Sequence, residues 1–150
     1  MDTQISHGVK TILFIDDDQG ILDMYKLYFS VSPRKEVYRF LSAPTIDKGK
    51  ELATTANPHI ILLDLVLQKI LVPQSDEDIK KEELSKEYGF NLLQELKGNP
   101  ATQATPIIII SNLSSLQDKD RAKQLGANQY LVKSDVVPSQ VLEEIKKYVT

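Results

Sequence analysis

Short apolar runs alternate with amphipathic stretches along this chain. Thr11–Ile15 (TILFI), Ile60–Leu63 (IILL) and Ile107–Ile110 (IIII) are continuous and rich in β-branched residues. They predict strands buried on both faces, because a half-exposed strand would alternate. Val37–Leu41 (VYRFL) does alternate and predicts a half-exposed strand, and Gln129–Val132 (QYLV) predicts a fifth. Gly20–Ser30, Asp47–Thr55, Phe90–Lys97, Ser115–Leu125 and Pro138–Val149 read as helices, with Leu92, Leu93 and Leu96 in register in the third and Val141, Leu142 and Ile145 inward in the last. Ser32–Pro33, Asn57–Pro58 and Gly98–Asn99–Pro100 close the helices before them. Ser115 and Asp118 have capping-box spacing, and Gly126 stands at the residue just past a helix end. A strand–helix pair repeated five times predicts an α/β fold: a doubly wound parallel sheet whose right-handed crossovers put helices on both faces.

One segment breaks the rhythm. Residues Gln68–Tyr88 separate the third strand from its helix, far more than an ordinary loop. The second half is charged, with Glu77–Lys81 and Glu82–Lys86 at favourable i,i+4 polarity and Ser75–Asp78 at capping-box spacing. It predicts an extra, mostly exposed helix near Asp76–Glu87; a solvated face is its simplest role, a partner contact the other. Met1–Gly8 is polar and aperiodic and predicts a flexible tail, leaving 9–150 as one domain interrupted by the 68–88 insertion.

Composition narrows the function. A chain of 150 residues, 41% hydrophobic and 26% charged, has the size and make-up of one ordinary domain. The absence of Cys excludes a disulfide scaffold, a Cys-ligated zinc site and thiol catalysis. A net charge of -3 argues against a nucleic-acid or anionic-membrane surface, which would need a basic patch. No apolar run approaches the roughly 20 residues of a spanning helix, and no signal peptide opens the chain, so the expected location is cytoplasmic.

The strand ends carry the chemistry. Asp16, Asp17 and Asp18 follow the first strand, Asp64 the third, Ser111 the fourth and Lys133 the fifth. In an open parallel sheet, ligands bind beyond these carboxyl ends. Clustered carboxylates repel, and a hard divalent cation such as Mg²⁺ relieves them. A carboxylate can also act as nucleophile toward phosphorus, with a lysine and a hydroxyl to receive phosphoryl oxygens. Asp18 is equally a cap for the first helix. His7 and His59 lack a second metal ligand at useful spacing and receive no role.

Taken together and in this order, ILFIDDD, IILLDLVL, PIIIIS and GANQYLVKS resemble the receiver domains of two-component response regulators, from about Val9 to Val149. The resemblance implies a flavodoxin-like strand order 2-1-3-4-5 and makes Asp64 the phosphoacceptor, with Asp16 and Asp17 as the acidic pair. It implies Mg²⁺, or Mn²⁺, held by Asp17, Asp64 and the Val66 main-chain carbonyl, with Asp16 acting through a water. Ser111 and Tyr130 would be the switch residues; Lys133, Ser111 and Asn112 would contact the phosphoryl group. The implied donor is a sensor histidine kinase or phosphotransfer protein. The output would be a protein partner, with the chain a monomer or a phosphorylation-induced dimer. With no length left for a DNA-binding domain after the last helix, the expectation is a single-domain regulator or a piece of a longer protein.

Three features depart from the family pattern. Lys133–Ser134 replaces the usual Lys-Pro, and since a cis bond before a non-proline costs about 3–4 kcal/mol, a trans bond is expected. Leu67 and Gln68 replace the usual turn after the acceptor, and the glycine that follows is delayed to Gly89. Val66 and Leu113, beside the expected phosphoryl position, are both apolar, which predicts slow phosphoryl loss. Two other readings are a degenerate receiver that binds partners without phosphorylation, and a haloacid-dehalogenase-type phosphatase with Asp16 as nucleophile and Asp18 as acid/base. The second lacks a Gly-Thr after the acidic run and leaves Asp64 without a role.

Overall fold

The computed structural model describes residues 8–67 and 74–149. Five parallel strands, β1 (Lys10–Ile15), β2 (Tyr38–Ala43), β3 (Ile60–Leu63), β4 (Ile107–Ser111) and β5 (Gln129–Val132), form one sheet in the order β2-β1-β3-β4-β5. Helices α1 (Gln19–Phe29), α2 (Arg34–Val37), α3 (Ile46–Thr55), α4 (Asp76–Gly98), α5 (Leu116–Gln124) and α6 (Pro138–Ile145) connect and follow them. The expected fold class and strand order are those observed.

Alternation along the strands divides the core into two layers. Leu13, Ile15, Ile61, Leu63, Ile107 and Ile109 face α3, α4 and α5, meeting Ala53, Phe90, Leu93 and Ala122. Ile12, Phe14, Ile60, Leu62, Ile108 and Ile110 face α1 and α6, meeting Leu22, Tyr25, Phe29, Val141 and Ile145. The continuous apolar runs are thus strands with a helix layer on each side. Several ends are fixed as the residue types dictate. Ser115 accepts from the Asp118 amide at 3.1 Å, and Gly126 takes a φ of +103°, a conformation that costs glycine little.

The charged insertion differs from expectation. Instead of a separate helix over 76–87 followed by another over 90–97, α4 runs unbroken from Asp76 to Gly98. Glycine inside a helix costs only about 1 kcal/mol relative to alanine, so Gly89 does not end it. Residues 68–73 of the insertion and the Met1–Gly8 tail up to residue 7 lie outside the described residues, as do the side chains of Asp78 and Glu82, on which the Ser75–Asp78 cap and the Glu82–Lys86 pair rest. The one-turn α2 was also not expected. It is tied to α1 by Arg34, whose guanidinium lies 3.9 Å from the Tyr28 ring centroid and whose Nε donates to the Tyr28 carbonyl at 2.6 Å.

Candidate functional site

Strand register decides which side chains meet. Ile15 pairs with Leu63 across β1 and β3, so Asp16 and Asp64, one residue on, leave the carboxyl edge side by side. Ser111 pairs with Val132 across β4 and β5, so Lys133 leaves the same edge. The Asp16 amide donates to the Ala43 carbonyl at 3.1 Å and the Asp64 amide to the Ile15 carbonyl at 3.0 Å, which fixes both backbones.

Lys133 bridges the two carboxylates. Its Nζ lies 2.6 Å from Asp16 Oδ2 and 2.9 Å from Asp64 Oδ2, with the lysine side chain 7% exposed and both aspartates at 0%. Asp16 Oδ1 accepts from the Asp18 amide at 2.8 Å, and Asp64 Oδ1 from the Val66 amide at 3.1 Å. Burial first, and the Asp64 charge second, push the Asp16 carboxyl up to about 6, against the pull of Lys133. Tyr25 of α1 lies close enough to feel Lys133 and Asp16, and burial pushes its hydroxyl up to about 12. Asp17 is half-buried beside them, and carboxylate oxygens of Asp16, Asp17 and Asp64 lie within 4.8 Å of one another. Hard oxygen donors this close suit a hard divalent cation such as Mg²⁺ or Mn²⁺, so the donor set fits the expected metal.

The remaining expected residues flank this cluster. Ser111 is fully buried, and its Oγ accepts from the Leu113 amide at 3.3 Å. The Tyr130 hydroxyl donates to the Leu113 carbonyl at 2.6 Å, so both residues grip the turn after β4. Burial pushes the Tyr130 hydroxyl up to about 12, with the Ser111 side chain opposing. Asn112 Oδ1 accepts from the Ser134 amide at 2.9 Å, holding the chain just past Lys133. Among the described residues the one cis peptide is Ser32–Pro33, so Lys133–Ser134 is trans as expected, and Lys133 opens a short 3₁₀ turn, Lys133–Asp135. Val66 is 5% exposed, and Leu113 packs against the core.

Asp18 is not part of the cluster. It is the N-cap of α1, its Oδ1 accepting from the Ile21 amide at 3.3 Å, as the cap reading of the sequence expects. Sequence reasoning missed the contact between α4 and α5. Glu87 accepts from both arms of the Arg121 guanidinium at 2.6 and 2.7 Å, and that guanidinium lies 4.1 Å from the Phe90 ring centroid. Lys86 lies 3.6 Å from Asp118. Partners this far apart in the chain leave no local signal.

The family model described as the response regulator receiver domain matches residues 12–146. The chain is 30% identical over 122 residues to the DNA-binding dual master transcriptional regulator RpaA of Synechocystis sp., covering 81% of this chain and 42% of that protein. It is 28% identical over 122 residues to Protein PilH of Pseudomonas aeruginosa, covering 81% of this chain and 84% of that one. A solved CheY-like receiver domain protein from Methanospirillum hungatei aligns with a TM-score of 0.69 at 25% identity, over 95% of this chain and 94% of that chain. The chain spans less than half the length of RpaA and of other curated relatives it matches. Among the described residues, no helix is long and apolar enough to cross a membrane.

Proposed function

The chain belongs to the response regulator receiver domains, and on that premise we propose that it is a signalling switch that accepts a phosphoryl group on Asp64. The observation that carries the reading is the placement of Asp64. It is fully buried at a strand end, with Lys133 on one oxygen and two further aspartates close by.

Asp64 would attack phosphorus through a carboxylate oxygen as the bond from phosphorus to the donor's imidazole nitrogen breaks and the imidazole leaves with the electron pair. Asp17, Asp64 and the Val66 carbonyl would hold Mg²⁺ or Mn²⁺ directly, and Asp16 through a water. The bound metal supplies charge neutralisation for the phosphoryl oxygens. Lys133 already rests on Asp64, so its ammonium stands where a phosphoryl oxygen would arrive. Ser111 and Asn112 would contact the other oxygens. As Ser111 turns toward the phosphoryl group, it gives up the Leu113 amide; Tyr130, bound to the Leu113 carbonyl, follows. The turn after β4 would then reshape the face of α5, β5 and α6 that a protein partner reads.

In this reading the donor is a sensor histidine kinase or phosphotransfer protein, the place is the cytoplasm, and the active form is a monomer or a phosphorylation-induced dimer. The chain catalyses only its own phosphorylation and dephosphorylation. Incubation with acetyl phosphate, with and without Mg²⁺, followed by intact mass measurement tests the reading. One Mg²⁺-dependent phosphoryl mass, absent from Asp64→Asn, is expected. No gain under any condition argues for a receiver that binds partners without phosphorylation.

A further inference from the structure

Gly89 sits in the middle of α4, against the backbone that follows the acceptor aspartate. A Cβ built there would lie 2.0 Å from the Leu65 carbonyl oxygen, 2.5 Å from its Cα and 2.6 Å from its carbonyl carbon. All three atoms are backbone, so no side-chain rotation relieves the overlap. Leu65 lies between Asp64 and Val66, whose amide donates to Asp64 Oδ1.

One of the two partners must therefore yield to any side chain at position 89, and their surroundings decide which. Phe90, Leu92 and Leu93 follow directly in α4 and are 0%, 1% and 0% exposed, and the Arg121 guanidinium covers the Phe90 ring. Moving the helix back would empty that packing. The Asp64–Leu67 segment is as buried as the helix, but it lies beyond the end of β3, and past the Asp64 amide, which donates to the Ile15 carbonyl, no strand pairing holds it. The softer partner is the segment that carries the acceptor.

We propose that Gly89 is a positioning residue for phosphoryl transfer: its bare Cα seats α4 on the Leu65 peptide and thereby sets the Asp64 carboxylate and the Val66 backbone. The inference rests on the receiver reading and deepens it. Residues 76–88 of α4 precede this contact, and the helix meets the acceptor segment at Gly89.

The test is Gly89→Ala beside Gly98→Ala. Gly98 lies in the same helix with nothing within 4 Å of an added Cβ, and its φ is not left-handed, so Gly98→Ala is expected to leave uptake unchanged. Both variants and the unaltered chain are incubated with acetyl phosphate and Mg²⁺. Native mass spectrometry then reads phosphoryl mass on the folded charge states alone, and Mg²⁺ affinity is titrated by NMR. A displacement on the order of 1 Å costs roughly 100-fold in rate, and Mg²⁺ tolerates little distortion of its ligands. Gly89→Ala is therefore expected to lower the uptake rate of folded molecules about 100-fold and to weaken Mg²⁺ binding at least about tenfold.

Wild-type rates and Mg²⁺ affinity in folded Gly89→Ala would overturn the inference. If Gly89→Ala alone does not fold, it is measured in the Gly98→Ala background with trimethylamine N-oxide, which favours the compact state. Failure to fold there would make Gly89 a residue of the fold alone and would equally overturn the proposal. Absence of uptake in the unaltered chain, with normal Mg²⁺ binding lost only in Gly89→Ala, would sink the phosphorylation reading while sustaining the positioning role.

Discussion

Replacing Asp16 with asparagine should stabilise the fold at neutral pH while removing the carboxylate charge that would act on the metal through a water. Asp16 is fully buried, and its carboxyl is pushed from 3.8 up to about 6, first by burial and then by Asp64. The folded state thus holds the Asp16 proton more tightly than the unfolded chain. Stability from this group is greatest below about pH 4 and falls as pH rises toward and past 6. A shift of this size corresponds to about 3 kcal/mol of destabilisation at pH 7 relative to the protonated form. Asparagine is close in shape to protonated aspartate and carries no charge, so it escapes that cost, but it has one acceptor oxygen where Asp16 uses two, and giving up the Asp18 amide costs about 1 kcal/mol. For a domain of this length the net gain of about 2 kcal/mol translates to about 4–8 °C in melting temperature. Thermal melts in EDTA from pH 4 to 8 would show the variant above the unaltered chain at pH 7, with the gap closing by pH 4. Adding Mg²⁺ should narrow the gap at pH 7 by stabilising the unaltered chain more. A variant no more stable than the unaltered chain at pH 7 in EDTA would refute the reasoning, because the buried charge would then carry no net cost.

Other consequences follow from the same geometry. Lys133→Gln leaves two buried carboxylates facing each other, and urea unfolding at pH 7 should show a loss of about 3–5 kcal/mol that partly recovers at pH 5 as Asp16 takes a proton. Tyr130→Phe removes the bond to the Leu113 carbonyl and should cost about 1 kcal/mol by the same assay, with Mg²⁺ affinity unchanged. With apolar Val66 and Leu113 beside the site, the phosphorylated protein should decay over many minutes when followed by intact mass, and a lifetime of seconds would contradict this.

What could be read from the sequence is what short-range pattern controls. Runs such as IILL and IIII mark strands because covering both faces of a parallel sheet leaves no position for a polar residue. The strand-end residues Asp16, Asp64, Ser111 and Lys133 were legible because register carries the end of each run to one edge. The continuity of α4 was not legible. Gly89 looks locally like a break, and only contact with Leu65, distant in the chain, reveals that a missing side chain is what the packing needs. His59 shows the same limit. It lacks a second metal ligand in the sequence, yet in the fold its Nδ1 accepts from the Thr11 amide at 2.9 Å and extends the pairing of β1 with β3. Asp18 was legible as either a cap or a member of the acidic cluster, and the turn into α1 makes it the cap.

Borohydride reduction of the phosphorylated chain, followed by peptide sequencing, tests the central claim most directly, because an acyl phosphate on aspartate is reduced to homoserine. After exposure to acetyl phosphate and Mg²⁺, the account predicts homoserine at position 64 and nowhere else. Homoserine at position 16 would instead make Asp16 the nucleophile, and none at any position would contradict phosphorylation as the basis of the switch.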